Sequence, residues 1–100
     1  MHKQKIFKKA VEDNNTNIVE SLIHHQEVNP SDEKNYAIRF ASEFGFFEIV
    51  KILLNDKRVD PSELDNWAIR RASIEEHFEI VILLLNHHWK TPPLKQQNMF

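Results

Sequence analysis

Histidine is the residue type most open to a chemical reading in this 100-residue chain, which has six histidines and no cysteine. His24-His25 and His87-His88 form adjacent pairs. Both pairs fall where a helix is predicted to end. Neighbours on a helix point in different directions, and neither pair has a carboxylate or a second histidine at i+4 to complete a ligand set. A side chain able to carry positive charge is favoured at a helix C-terminus by the dipole alone. No metal site is expected. Ser42 and Ser73 could be fitted to a serine-histidine-acid arrangement, but both stand where small residues pack between helices. A phosphate-cradling loop needs several glycines, and the chain has one, Gly45. The missing cysteines remove disulfides, thiolate zinc sites and thiol nucleophiles. The expectation is a non-enzymatic protein with no cofactor.

Charge and hydropathy narrow the class further. The formal net charge is −2. Lys3, Lys5, Lys8 and Lys9 crowd the start, and the rest of the chain carries 9 basic against 15 acidic residues. Four lysines without interleaved aromatics read as a solvated helix face, so no nucleic acid and no membrane partner is expected. The longest apolar run, Ile80 to Leu85, is six residues, against the roughly 20 needed to span a bilayer. No secretory signal core is visible near the start. With no cysteine to oxidise, an intracellular, cytoplasmic location is expected.

The elements that position these residues come from an internal repeat. Residues 28–58 and 59–89 align without a gap, and 16 of the 31 positions are identical. Asn35/Asn66, Ala37-Ile38-Arg39/Ala68-Ile69-Arg70, Ala41-Ser42/Ala72-Ser73 and Phe47-Glu48-Ile49-Val50/Phe78-Glu79-Ile80-Val81 coincide. One period earlier, Phe7 falls on Ile38, Ala10 on Ala41, Asn14 on Gly45 and Ile18-Val19 on Ile49-Val50. The reading is one domain over 1–90, with units at about 1–27, 28–58 and 59–89. Residues 91–100 are a tail or the start of an unfinished unit. A fixed period of this size indicates stacked units that bury a shared core.

Within each unit, Ala37, Ile38, Ala41, Ser42 and then Ile49, Val50, Leu53, Leu54 recur at i, i+1, i+4, i+5. Two short helices are predicted per unit, at 3–12, 16–25, 35–43, 47–56, 66–74 and 78–88. Gly45 is the left-handed stop between them, Asn14 a serviceable substitute, and Glu76 a strained one. The alanines let helices approach, and Leu53, Leu54, Leu84 and Leu85 fill the space between. The fold class is all-α, a solenoid of three helix-turn-helix units.

The run Asn35-x-Ala37-Ile38-Arg39-x-Ala41-Ser42, followed by Gly45 and Glu48-Ile49-Val50-Lys51, resembles an ankyrin repeat. Tyr36–Ser42 stands where the usual Thr-Pro-Leu-His-x-Ala-Ala would be, a variant that resembles ankyrin arrays of protists and large DNA viruses. The period is 31 rather than the usual ~33, and Lys34 or Asp65 stands where a hairpin-tip glycine is usual. The resemblance implies a protein-protein interaction module. It implies that Arg39 and Arg70, at the usual histidine position, order neighbouring loops. It also implies that partner contacts come from loop tips and the exposed flank of the first helix. Those positions are Lys9, Glu12 and Asp13 in the first unit, Asp32, Glu33, Phe40, Glu43 and Phe44 in the second, and Glu63, Leu64, Arg71, Ile74 and Glu75 in the third. Tyr36 and Trp67 either anchor a partner or seal the loop junction. Phe44, Leu64 and Ile74 are apolar among carboxylates, which suits a partner segment with basic and apolar side chains, unless Phe44 and Ile74 pack on each other. Ile82 replaces Lys51 on the outer side of the third unit. A homo-oligomer through this uncapped unit is the alternative, as is a cover formed by Leu94, Met99 or Phe100.

Overall fold

The computed structural model describes residues 2–90, with side chains as far as His87. Six helices follow one another: α1 (His2–Glu12), α2 (Thr16–Leu22), α3 (Asp32–Phe44), α4 (Phe47–Leu54), α5 (Glu63–Ile74) and α6 (Phe78–Lys90). Helices α1, α3 and α5 pack side by side in one layer, α2, α4 and α6 in a second, and each odd helix packs on the even helix after it. The expected all-α solenoid of helix-turn-helix units is therefore what the chain forms. Segments of 7–13 residues are too short to hold as isolated helices, so their stability comes from stacking.

The core follows the repeat. Phe7, Ala10, Val11, Val19 and Ile23 of the first unit are buried with Ala37, Ile38, Ala41, Ile49, Val50 and Leu53 of the second. Ala68, Ala72, Ile80 and Leu84 complete it. Leu54 is only half-buried, and Leu85 and Ser73 are exposed, contrary to the expected packing roles. Their counterparts Ser42 and Leu54 are fully and half buried respectively, and Ser73 and Leu85 belong to the last described unit.

Each inter-helix turn uses the same hydrogen bond. Asn15 N–H donates to Ala10 O (2.8 Å), Phe46 N–H to Ala41 O (2.9 Å) and His77 N–H to Ala72 O (2.9 Å). This six-to-one bond requires a left-handed residue just before the donor. Asn14 (φ 56°), Gly45 (φ 78°) and Glu76 (φ 65°) supply it, so Glu76 adopts the strained conformation expected of it. Gly45 has a second reason to lack a side chain: a Cβ there would lie 2.7 Å from the His77 ring.

The loops differ from the expected tight turn. Glu33, Lys34 and Asn35 all have φ between 55° and 59°, and Leu64, Asp65 and Asn66 lie between 58° and 61°. Each run is a left-handed turn that leads directly into the right-handed helix, so α3 and α5 begin about three residues before their expected starts. A run of left-handed residues without glycine costs roughly 1–2 kcal/mol per residue. Arg39 offsets it by donating from Nε to Lys34 O (3.0 Å) and from a terminal nitrogen to Glu33 O (3.1 Å). Arg70 repeats both bonds, to Asp65 O (3.0 Å) and Leu64 O (3.3 Å). The loop-ordering role expected of these arginines takes this form.

Side-chain amides fasten one unit to the next. Gln4 Oε1 accepts Asn29 N–H (2.6 Å), and its Nε2 donates to Asn29 O (3.1 Å). One period later Asn35 Oδ1 accepts Asp60 N–H (2.8 Å), and its Nδ2 donates to Glu63 Oε1 (3.2 Å). Asn29 and Asp60 then order their own loops by accepting from the N–H and hydroxyl of Ser31 and Ser62. Arg58 adds a third fastening, donating to Val28 O (3.0 Å) at the start of its own unit and to Ile23 O (3.1 Å) of the first. Asp56 orients it at 2.8 Å, and that guanidinium holds the Asp56 carboxyl below the usual range.

Candidate functional face

The layer of α1, α3 and α5 turns one flank to the even helices and the other to solvent. On α3, Tyr36, Phe40 and Phe44 recur every fourth residue and therefore share a stripe. Their rings stack in sequence, with centroids 5.5 Å apart for Tyr36–Phe40 and 4.6 Å for Phe40–Phe44. Phe46, which the sequence reading passed over, joins from the turn at 6.1 Å from Phe40. Tyr36 and Phe40 are half-buried, whereas Phe44 is 52% exposed. On α5 the equivalent stripe is Trp67, Arg71 and Glu75, with Ile74 beside it at the position Glu43 holds on α3. Ile74 is 64% exposed, so Phe44 and Ile74 do not bury one another.

Ion pairs cross this surface. Arg71 bridges α3 and α5, contacting Glu43 at 3.3 Å and Glu75 at 3.2 Å. Lys8 bridges α1 and the second unit's left-handed turn through Glu33 at 2.8 Å. The hydrogen bond to Glu33 raises the Lys8 pKa above that of a free lysine. Tyr36 donates its hydroxyl to Glu12 at 2.7 Å. Burial first, and then that bond, push the Tyr36 phenol up to about 12. Lys8 lies 4.7 Å from the centre of the Tyr36 ring. Arg39 lies 5.8 Å from Tyr36 and 5.5 Å from Trp67. Both aromatics are thereby held by cations at the junction between units, a sealing arrangement that leaves each ring half-buried.

The twelve residues singled out from sequence in the second and third units fall into three groups. Tyr36, Phe40, Glu43, Phe44, Trp67, Arg71, Ile74 and Glu75 lie along α3 and α5. Glu33 and Leu64 sit in the left-handed turns, with Leu64 42% exposed. Asp32, exposed, and Glu63, half-buried, immediately precede those turns. The first-unit contributions of Lys8 and Gln4 escaped the sequence reading, whereas Glu12 was among the first-unit positions it named. Gln4 was detectable, because it falls one period before Asn35; Lys8 has no such signal. Among the described residues, no three histidine or carboxylate side chains converge as a metal site. His88 and the suggested cover by Leu94, Met99 or Phe100 lie outside the described side chains.

The family model for ankyrin repeats (3 copies) matches residues 7–95. The chain belongs to the ankyrin repeat family. Ankyrin repeats are in general protein-protein interaction modules, and the face described above is part of such a module. No curated protein and no solved structure matches the chain. No helix among the described residues is long and apolar enough to cross a membrane.

Proposed function

We propose that this ankyrin module is non-enzymatic and binds a protein segment along the α3–α5 face, with loop-tip residues Asp32, Glu33, Glu63 and Leu64 at its edge. The observation that carries the reading is the exposure of Phe44 and Ile74 on one face beside the Glu43–Arg71–Glu75 ion pairs. Large exposed apolar side chains among charged ones are the usual form of a protein-binding patch. The aromatic stack behind Phe44 supports it as a preorganised anchor, since its neighbours already limit its freedom. The partner this face suits carries an apolar anchor and basic side chains. The carboxylates already have internal partners, but exposed pairs of this kind are worth only about 0–1 kcal/mol. A lysine or arginine of the partner can therefore take over Glu33, Glu43 or Glu75 at little cost.

The test compares wild type with the double variant Phe44→Ala, Ile74→Ala against each partner recovered from cell extract. Both sites are exposed, so the fold should survive, as circular dichroism will show. Loss of two central anchors should weaken binding by ~10-fold or more. Unchanged affinity for every partner would remove this face from consideration. Self-association through the third unit concerns different surfaces, the two ends of the array.

A further inference from the structure

The second and third units treat one aromatic position differently. Phe47, at the start of α4, is half-buried, and Lys51 Nζ lies 5.5 Å from the centre of its ring. The same ammonium group stands 3.9 Å from Glu48. Ring, carboxylate and cation thus form one set on a single helical turn. One period later the ring and the carboxylate recur as Phe78 and Glu79, but Ile82 replaces the lysine. Phe78 is 60% exposed, and among the described residues no cation stands over it and none pairs with Glu79. The third unit keeps the two parts that receive a cation and lacks the cation.

A hollow of about 420 Å³ leads to this place. It lies between the second and third units, with Gly45 and Phe47 on one side and Glu76, His77, Phe78 and Glu79 on the other. It is internal to the array, and no residue after position 80 lines it. Two features keep it open. Gly45 adds no side chain, and a Cβ there would lie 2.7 Å from the His77 ring. His77 is fixed as a wall, because its Nε2 donates to Glu43 O at 3.0 Å across the junction. Glu76, in the left-handed conformation, is exposed at the rim and, like Glu79, has no ion pair among the described residues. Two carboxylates and three rings therefore face the hollow, and no lysine or arginine lines it.

We propose that this hollow receives an arginine side chain of the protein segment that binds the α3–α5 face. A guanidinium suits it better than an ammonium ion, because a flat cation can lie on the Phe78 ring while its edge N–H groups reach Glu76 and Glu79. The hollow starts at Gly45, the residue after Phe44, so a segment anchored on Phe44 needs only to turn the end of α3 to enter it. The choice of this segment as the source rests on the binding reading above; the affinity of the hollow for a guanidinium does not.

Nuclear magnetic resonance titration of the full chain with N-acetyl-arginine amide tests it and needs no partner. The amide signals of His77, Phe78 and Glu79 should shift and saturate with a Kd of roughly 10 mM, the strength of one cation–π contact plus exposed ion pairs. N-acetyl-citrulline amide has the same shape without the charge and should not bind. Glu76→Gln with Glu79→Gln should weaken binding of the arginine probe ~5-fold or more. Ile82→Lys, which restores in the third unit the cation of the second, should do the same. All three positions are exposed, and the remaining signals report whether each variant is folded. Absence of a saturable shift in the wild-type protein overturns the proposal. So does equal binding of the citrulline probe, or arginine binding unchanged by either variant. Phe44→Ala with Ile74→Ala should leave the probe's affinity unaltered, and a loss there would place the probe on the α3–α5 face instead. Each partner weakened by that variant should also be weakened by Glu76→Gln with Glu79→Gln, and wild-type affinity for all of them would overturn the assignment to that segment.

Discussion

Asn35 and Asn66 are the same residue at the same repeat position, in the same left-handed conformation (φ 59° and 61°). They differ in partners. Asn35 is buried and clamps Asp60 N–H at 2.8 Å and Glu63 at 3.2 Å, whereas Asn66 is exposed. Asn35→Ala loses a residue that tolerates the left-handed region, at roughly 1 kcal/mol. It also strands a partly buried backbone N–H, at about 1–3 kcal/mol more. Asn66 clamps no such pair among the described residues, so Asn66→Ala incurs only the first loss. The difference between the two should therefore be about 1–3 kcal/mol, or ~4–24 °C in Tm for a domain of this size. Urea unfolding of both variants measures it, and equal m-values confirm that the comparison is of like transitions. Equal losses from the two substitutions would show that the Asn35 clamp contributes nothing, and that the account of how consecutive units are fastened is wrong.

Other outcomes follow from the turns, the core and the one tyrosine. Glu76→Gly should stabilise the chain by about 1 kcal/mol, since glycine adopts φ 65° without the Cβ penalty. Gly45→Ala should cost more than ~2 kcal/mol, because the left-handed strain is joined by a Cβ 2.7 Å from the His77 ring. Thermal unfolding reads both. Ser42 Oγ is buried with no hydrogen-bond partner among the described residues. Ser42→Ala should thus be neutral, or stabilising by up to about 1 kcal/mol, and a clear destabilisation would reveal a partner. Tyr36 is the only tyrosine, so tyrosinate absorbance reports on it alone. The folded protein should titrate near 12, and the urea-unfolded chain near ~10. Because the folded pKa is the higher, this stabilisation is complete below about pH 10 and is lost as pH rises towards 12. Glu12→Gln should lower the folded midpoint only in part, since burial is the larger cause.

Much of the fold was legible because repetition averages out local ambiguity. Ala37 and Ala68, Ile38 and Ile69, and Val50 and Val81 each vote for the same helical face. The left-handed loop turns were not legible. Nothing in Glu33-Lys34-Asn35 or Leu64-Asp65-Asn66 favours three positive φ values in a row. The conformation is fixed by Arg39 and Arg70, five and six residues further on. The candidate face was half legible. Period-four spacing places Phe40 and Phe44 on one stripe, and the exposure of Phe44 and Ile74 matches their mismatch with solvent. The ion pairs Lys8–Glu33 and Glu43–Arg71 depend on how far one unit is rotated against the next. That rotation is a property of packed alanines and amide clamps, and periodicity does not encode it.

The most direct test of the central claim is site-specific photocrosslinking in cell extract. A photoreactive residue at position 44, on the α3–α5 face, is compared with one at position 82, where the replaced Ile82 is 58% exposed on α6. Protein adducts at position 44 but not at 82, competed away by unlabelled wild type and not by Phe44→Ala, Ile74→Ala, are the predicted result. Adducts at 82 with none at 44 would place the partner on the opposite side of the array and contradict the account.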